Sequence, residues 1–156
     1  MNWTSSLATL ATSLTVAVLA SYLTARFALR RFYAEKWWER KTAAYVAIIE
    51  ALHHLREHAD TNLTFTQRGK ELPPGGEEEL TQRLREAMMQ LRLRRDVGTF
   101  VLSVEAVDEL NRLFDELDKS TETTNWEVYL TMKLAAVDKC LARLRILARR
   151  DLQIRQ

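Results

Sequence analysis

The first 25 residues intersperse large apolar side chains with alanine, serine and threonine, and no charged residue occurs before Arg26. A helix of this length can cross the hydrocarbon core of a bilayer, which is roughly 30 Å thick. The pattern therefore predicts a transmembrane helix over residues 1–25. Because basic residues follow the apolar run and none precedes it, the pattern favours an uncleaved anchor, and a secretory signal peptide is the alternative.

Small or hydroxyl-bearing residues recur at every fourth position within this run. They are Ser5, Thr9, Ser13, Ala17 and Ser21. Small residues at this spacing let helix backbones approach closely, and hydroxyl groups hydrogen-bond between helices. We therefore expect copies of the chain to associate along this face, with these five residues as oligomer contacts or as the lining of a pore. The alternative is a mildly polar anchor whose hydroxyl groups bond to its own backbone.

A basic and aromatic segment, residues 26–41, follows the apolar run as a juxtamembrane stalk. Its basic residues are Arg26, Arg30, Arg31, Lys36, Arg40 and Lys41. The positive-inside rule then predicts that the N-terminus lies outside and that the rest of the chain is cytoplasmic. We expect Arg26, Phe27, Arg30 and Arg31 to lie at the membrane interface, in contact with lipid headgroups.

Apolar residues at helical spacing continue beyond the stalk and predict a cytoplasmic domain over residues 42–156. A first helix is expected to run from the membrane to about His58, because no glycine or proline interrupts it. Residues 60–78 contain both prolines and read as a loop. A second helix is expected over residues 77–96, with acidic residues in its first turn and basic ones in its last, as the helix dipole favours.

Two further helices are predicted near the C-terminus. Ser103 is placed to cap the third, and Thr124 with Glu127 matches a capping box for the fourth. The fourth helix carries an apolar seam at alternating spacings of four and three: Leu130, Leu134, Val137, Leu141, Leu144 and Ala148. The predicted fold class is therefore all-α, with one N-terminal transmembrane helix continuing into a cytoplasmic antiparallel helical bundle.

Composition agrees with a helical chain. Glycine and proline are scarce, at four and two residues, and the net charge of +2 says little about partners. The single cysteine, Cys140, excludes an internal disulfide framework. Its position beside Val137 and Leu141 on the seam predicts a small core residue.

Two histidine patterns have spacings that occur in metal sites. His54 and His58 stand four residues apart on a helix, but zinc needs three or four protein ligands. Glu50 and His53 form a single E-x-x-H element, whereas a di-iron bundle needs two such elements and further carboxylates. We therefore predict no metal, no cofactor and no enzymatic activity.

Arginine clusters are the remaining candidates for chemistry. Arg92, Arg94 and Arg95 could contact an anion or RNA, and a second group follows near the C-terminus: Arg143, Arg145, Arg149 and Arg150. The alternative is that they complement the helix C-termini electrostatically.

The layout, with residues 1–25 as an anchor and residues 42–156 as a bundle, resembles small bacterial single-pass membrane effectors of antiphage defence. It is distantly similar to the membrane accessory family of type VI CRISPR systems. The resemblance covers the whole chain as architecture and no motif carries it. It implies a HEPN-like bundle, a bacterial inner-membrane location and assembly into a pore. It does not imply ribonuclease activity, because no arginine stands five to seven residues before His53, His54 or His58.

Three functions remain open from the sequence. The leading expectation is a homo-oligomeric membrane protein that forms a pore or perturbs the membrane, with itself and membrane lipid as partners. The second is a non-enzymatic, membrane-tethered adaptor that presents its bundle to a cytoplasmic protein. The third is a sensor that binds a nucleotide or RNA through the arginine clusters.

Overall fold

The computed structural model describes the backbone of residues 3–98 and 100–152, and the side chains from residue 19 onward within those ranges. Four helices follow in order: α1 (Trp3–Gln67), α2 (Gly76–Gly98), α3 (Val104–Ser120) and α4 (Trp126–Asp151). All regular secondary structure in the described ranges is helical, so the prediction of an all-α bundle is confirmed.

The prediction of a transmembrane helix is wrong for the part of the chain that the structure describes. Among those residues, no helix combines the length and the unbroken apolar character that crossing a bilayer demands. From residue 19, where the described side chains begin, only seven residues precede Arg26, and Arg30 and Arg31 follow shortly after. Charge at that density is costly in hydrocarbon. The side chains of residues 1–18, which make up most of the predicted span, lie outside the description.

The chain divides into two compact units, and the division falls within α1. We call residues Met1–Glu39 the N-terminal unit and residues Arg40–Gln156 the C-terminal unit. The four-helix core lies in the C-terminal unit.

The core of the C-terminal unit is built from one apolar stripe on each helix. On α1 the stripe recurs at spacings of three and four: Tyr45, Ile48, Leu52, Leu55 and Ala59 are all buried. On α3 the buried apolar residues are Ala106, Leu110, Leu113, Phe114 and Leu117. The predicted α4 seam is also buried, except that Leu134 is half-buried. Helix α2 contributes least, with only Ala87 and Leu91 as buried apolar side chains.

Side-chain contacts fix α1 and α4 as antiparallel neighbours. Gln67 near the end of α1 bonds to Glu127 at the start of α4 (3.2 Å). Arg56 bonds to Asp138 further along (2.7 Å), and Tyr45 reaches Asp151 at the end of α4. Residues later in α1 contact residues earlier in α4, so the two helices run antiparallel, as predicted for the bundle.

Two predicted boundaries need correction. Helix α1 continues to Gln67 instead of ending near His58, because no glycine occurs before Gly69 and residues 61–65 are half-buried against the bundle. The fourth helix is capped by Asn125, whose side chain accepts from the Val128 amide (3.1 Å), and not by the predicted Thr124 capping box. Asparagine is among the strongest N-cap residues, so it supplies the bond one position later.

Candidate functional site

The N-terminal unit exposes an unusual number of large apolar side chains. Between residues 19 and 38 nine of them are 44–68% exposed. We call this set the N-terminal apolar surface: Leu19, Tyr22, Leu23, Phe27, Leu29, Phe32, Tyr33, Trp37 and Trp38. Exposed patches of this kind mark interaction sites in folded proteins.

Charged side chains are interspersed with this surface. Arg26 donates a bond to the Tyr22 hydroxyl (3.3 Å), one turn earlier. Lys36 pairs with Glu39 (2.7 Å) and lies 5.9 Å from the centre of the Phe32 ring. These contacts are local to the helix, so they leave the aromatic rings accessible.

The residues predicted at the membrane interface are all in this region. Arg26, Phe27, Arg30 and Arg31 are exposed, and their role at an interface stays a prediction. Of the five predicted oligomer contacts, Ser21 is described and exposed, whereas Ser5, Thr9, Ser13 and Ala17 fall among the side chains outside the description.

The predicted anion-contacting arginines do not all share one face of α2. Arg92 is exposed. Arg95 lies over the Phe114 ring, 4.9 Å from its centre, and bonds to Asp96 (3.1 Å). Arg94 is half-buried, and its Nε atom has no hydrogen-bond partner in the described part. Consecutive helix positions point about 100° apart, so Arg92 and Arg94 lie on different sides of α2.

A second exposed apolar set lies at the end of α2 and in the connection to α3. Met89, Leu93 and Val97 are spaced four residues apart on α2 and are 47–61% exposed. Phe100 and Val104 follow, at 76% and 73%. We call these five residues the α2 surface. It is smaller than the N-terminal apolar surface and has fewer aromatic side chains.

The two histidines considered as a metal pair have different surroundings. His54 is half-exposed and 3.5 Å from Glu57, whereas His58 is buried. Among the described residues, no group of three or more histidine, cysteine, aspartate or glutamate side chains could hold a metal ion.

Residues of α1 and α4 line an open groove of about 900 Å³. Its apolar lining residues are Ile49, Leu141 and Ala142, and its polar lining residues are Glu50, His53, His54, Arg56, Asp138 and Arg145. Arg56 and Asp138 pair with each other. The lining contains no serine, threonine or cysteine, so it offers no nucleophile of the usual hydroxyl or thiol type.

Two basic side chains are buried inside the bundle. His58 on α1 is 8% exposed and Lys133 on α4 is 4% exposed. Burial, with a smaller contribution from the Lys133 charge, lowers the pKa of His58 to about 4. Burial lowers the pKa of Lys133 to about 8. The sequence carries a signal for the burial of Lys133, because a lysine three residues after Leu130 and four before Val137 falls on the apolar seam.

A polar cluster joins three helices at the other end of the bundle. The buried Tyr45 hydroxyl donates to Asp151 (2.5 Å) and lies 3.4 Å from the Ser103 hydroxyl. Lys41 is 3.9 Å from the same carboxylate. Burial and the bond to Asp151 raise the pKa of Tyr45 to about 12. The sequence does not predict this cluster, because it assigns Ser103 to the N-cap of α3 and Lys41 to the stalk.

Cys140 is buried, as predicted from the seam. Burial, together with the negative charges of Glu109 and Glu116, raises the pKa of its thiol to about 12. A thiol that stays protonated is a poor nucleophile, because the thiolate is the reactive form.

Comparison with known proteins adds no family assignment. No protein family, no curated protein and no solved structure matches this chain.

Proposed function

We propose that this chain is a non-enzymatic, self-assembling helical protein. Copies associate through the N-terminal apolar surface, and each copy contributes one helical bundle to the assembly. The observation that carries the proposal is the exposure of nine large apolar side chains between residues 19 and 38.

The size of this surface fits an interface between copies. A large aromatic side chain buries about 150–250 Å² when fully covered, so nine half-exposed side chains offer on the order of 900 Å² per copy. A standard stable interface buries about 800 Å² on each partner. The N-terminal apolar surface is therefore large enough for a specific complex.

The arrangement around the helix favours protein neighbours over a flat lipid surface. Phe27 and Phe32 are five residues apart, which places them about 140° apart around the helix axis. Trp37 and Trp38 are adjacent and about 100° apart. A flat surface contacts one side of a helix, whereas neighbouring helices in an assembly contact several sides.

The low stability of an isolated helix also favours association between copies. An isolated helical segment gains little from its own backbone hydrogen bonds and depends on packing. Helices from further copies would supply that packing.

The test is the mass of the full-length protein, measured by light scattering and corrected for any bound detergent. We expect a discrete assembly of several copies that dissociates on dilution. Replacing Phe27 and Tyr33 with glutamine should lower the mass. The matched control replaces Phe100 and Val104, two exposed residues of the α2 surface, with glutamine and should leave the mass unchanged.

Three outcomes would overturn the proposal. The first is a wild-type monomer at all concentrations, and the second is an equal loss of mass in the test and control variants. The third is a monomer that binds phospholipid vesicles through Phe27 and Tyr33, which would assign the surface to lipid. Thermal unfolding of each variant establishes that the bundle is intact.

A further inference from the structure

The open groove between α1 and α4 is lined by one acidic and one basic side chain that have no partner. Glu50 on α1 and Arg145 on α4 both line the groove, and both are exposed. No hydrogen bond or ion pair of either side chain is present among the described residues. The two walls of the groove therefore carry opposite charges that do not neutralise each other.

The register of the two helices explains why no ion pair closes the groove at this level. Arg56 on α1 pairs with Asp138 on α4 (2.7 Å). Ile49 is seven residues before Arg56, and Arg145 is seven residues after Asp138. Seven residues are close to two helical turns, so the antiparallel helices place Ile49 opposite Arg145, where an acidic residue would complete a second pair. Glu50 is the next residue of α1 and projects from a different side of the helix.

The other charges near these two side chains already have partners. Asp138, the second acidic residue of the groove, is held by Arg56. Arg83 on α2 lines a second groove together with Glu50, and it pairs with two other glutamates. Glu50 and Arg145 are therefore available to a ligand.

The rest of the lining suits a ligand with an apolar body. Ile49 on α1 and Leu141 and Ala142 on α4 supply apolar surface, and the imidazoles of His53 and His54 offer further hydrogen-bonding atoms. The groove has a volume of about 900 Å³, within the range of roughly 300–1,000 Å³ that is common for small-molecule sites. Such sites combine an apolar lining with a few polar groups that orient the ligand.

We propose that this groove binds a small zwitterion with an apolar body, such as an apolar amino acid or a short apolar peptide. The Arg145 guanidinium donates hydrogen bonds to the ligand carboxylate, and the ligand ammonium donates to the Glu50 carboxylate. Ile49 and Leu141 contact the apolar body. A ligand with a single charge would satisfy only one of the two side chains and would be repelled by the other. The groove lies within the C-terminal unit, so binding does not depend on self-assembly.

The test is isothermal titration calorimetry of the full-length protein with dileucine and with leucine. We expect a dissociation constant on the order of 0.1–1 mM for the tighter of the two, and the tighter one distinguishes a peptide from a free amino acid as the ligand. Two probes each lack one charge: N-acetyl-dileucine has no ammonium, and dileucine amide has no carboxylate. Each should bind at least about tenfold more weakly than dileucine.

Substitutions assign each charge to its side chain. Arg145→Gln should weaken dileucine binding at least about tenfold. Glu50→Gln should make dileucine and N-acetyl-dileucine bind alike. Arg143→Gln is the matched control, because Arg143 is exposed on the same helix and lies about 160° around the helix axis from Arg145, and it should bind dileucine like the wild type. Thermal unfolding of each variant establishes that the bundle is intact.

Three results would overturn the proposal. The first is that neither leucine nor dileucine binds, and the second is that the two singly charged probes bind as tightly as dileucine. The third is equal binding of dileucine by Arg145→Gln and Arg143→Gln. None of these results depends on the mass of the assembly, so the failure of this proposal is distinguishable from the failure of self-assembly.

Discussion

The Tyr45 hydroxyl donates a hydrogen bond of 2.5 Å to the Asp151 carboxylate, and this bond joins residues 106 positions apart in the chain. Burial by itself would raise the pKa of Asp151, but hydrogen bonds from Ser103, Tyr45 and Arg150 and the charge of Lys41 hold it below its usual value. The bond therefore ties the middle of α1 to the last residue of α4 and keeps a mostly buried carboxylate ionised.

Replacing Tyr45 with phenylalanine should lower the free energy of unfolding by about 1–3 kcal/mol, because it leaves the Asp151 carboxylate with one donor fewer. Urea unfolding measures the change. Tyr129→Phe is the matched control, since Tyr129 is half-buried and has no hydrogen bond from its hydroxyl among the described residues. It should change the stability by less than about 0.5 kcal/mol. Equal effects of the two substitutions would show that the Asp151 bond contributes nothing.

His58 should make the bundle sensitive to mild acid. Its pKa is lowered from 6.5 in the unfolded chain to about 4 in the folded protein, so the unfolded state binds the proton more readily. The stability contribution is present above pH 6.5 and is lost as the pH falls toward 4. The full loss is about 3 kcal/mol.

Urea unfolding at a series of pH values between 7 and 4 tests this expectation. His58→Leu should flatten the profile between pH 6.5 and 4. His53→Gln, at an exposed position on the same helix, should leave the profile as it is. A wild-type stability that stays constant over this range would contradict the burial of a neutral imidazole.

Much of the bundle could be predicted from the spacing of apolar residues. The α4 seam from Leu130 to Ala148 and the core position of Cys140 follow from a period close to 3.6, which depends only on local geometry. The end of α1 could not be predicted from the spacing of apolar residues. Residues 61–65 include three polar side chains, and their half-buried position depends on packing against other helices.

The candidate sites were harder to predict, for two physical reasons. Ser103 occupies the predicted N-cap position of α3, yet its side chain makes no cap bond and lies beside Tyr45 instead. That pairing depends on how α1, α3 and α4 meet, which spacing along one helix does not specify. The arginine run from Arg92 to Arg95 forms one cluster in sequence, but the rotation of the helix places Arg94 on the opposite side of α2 from Arg92.

The thiol of Cys140 should be protected from alkylation in the folded protein. Its pKa of about 12, against 9 for a free thiol, lowers the thiolate fraction near neutral pH about a thousandfold, and burial adds a steric barrier. Reaction with iodoacetamide should therefore proceed only through unfolding and should accelerate with urea. The same reaction in full denaturant gives the reference rate. Rapid alkylation under native conditions would show that α4 opens locally around this residue.

Separate substitutions of Arg95 and Arg92 distinguish a packing role from a ligand-binding role for the arginines between residues 92 and 95. The Arg95 guanidinium lies 4.9 Å from the centre of the Phe114 ring, and such a contact stabilises a protein by about 1 kcal/mol. Arg95→Ala should therefore lower the free energy of unfolding by about that amount, whereas Arg92→Ala should change it by less than about 0.5 kcal/mol. Urea unfolding of both variants measures the difference. RNA binding that is lost equally on either substitution would instead support a shared role in anion recognition, because Arg92 is exposed.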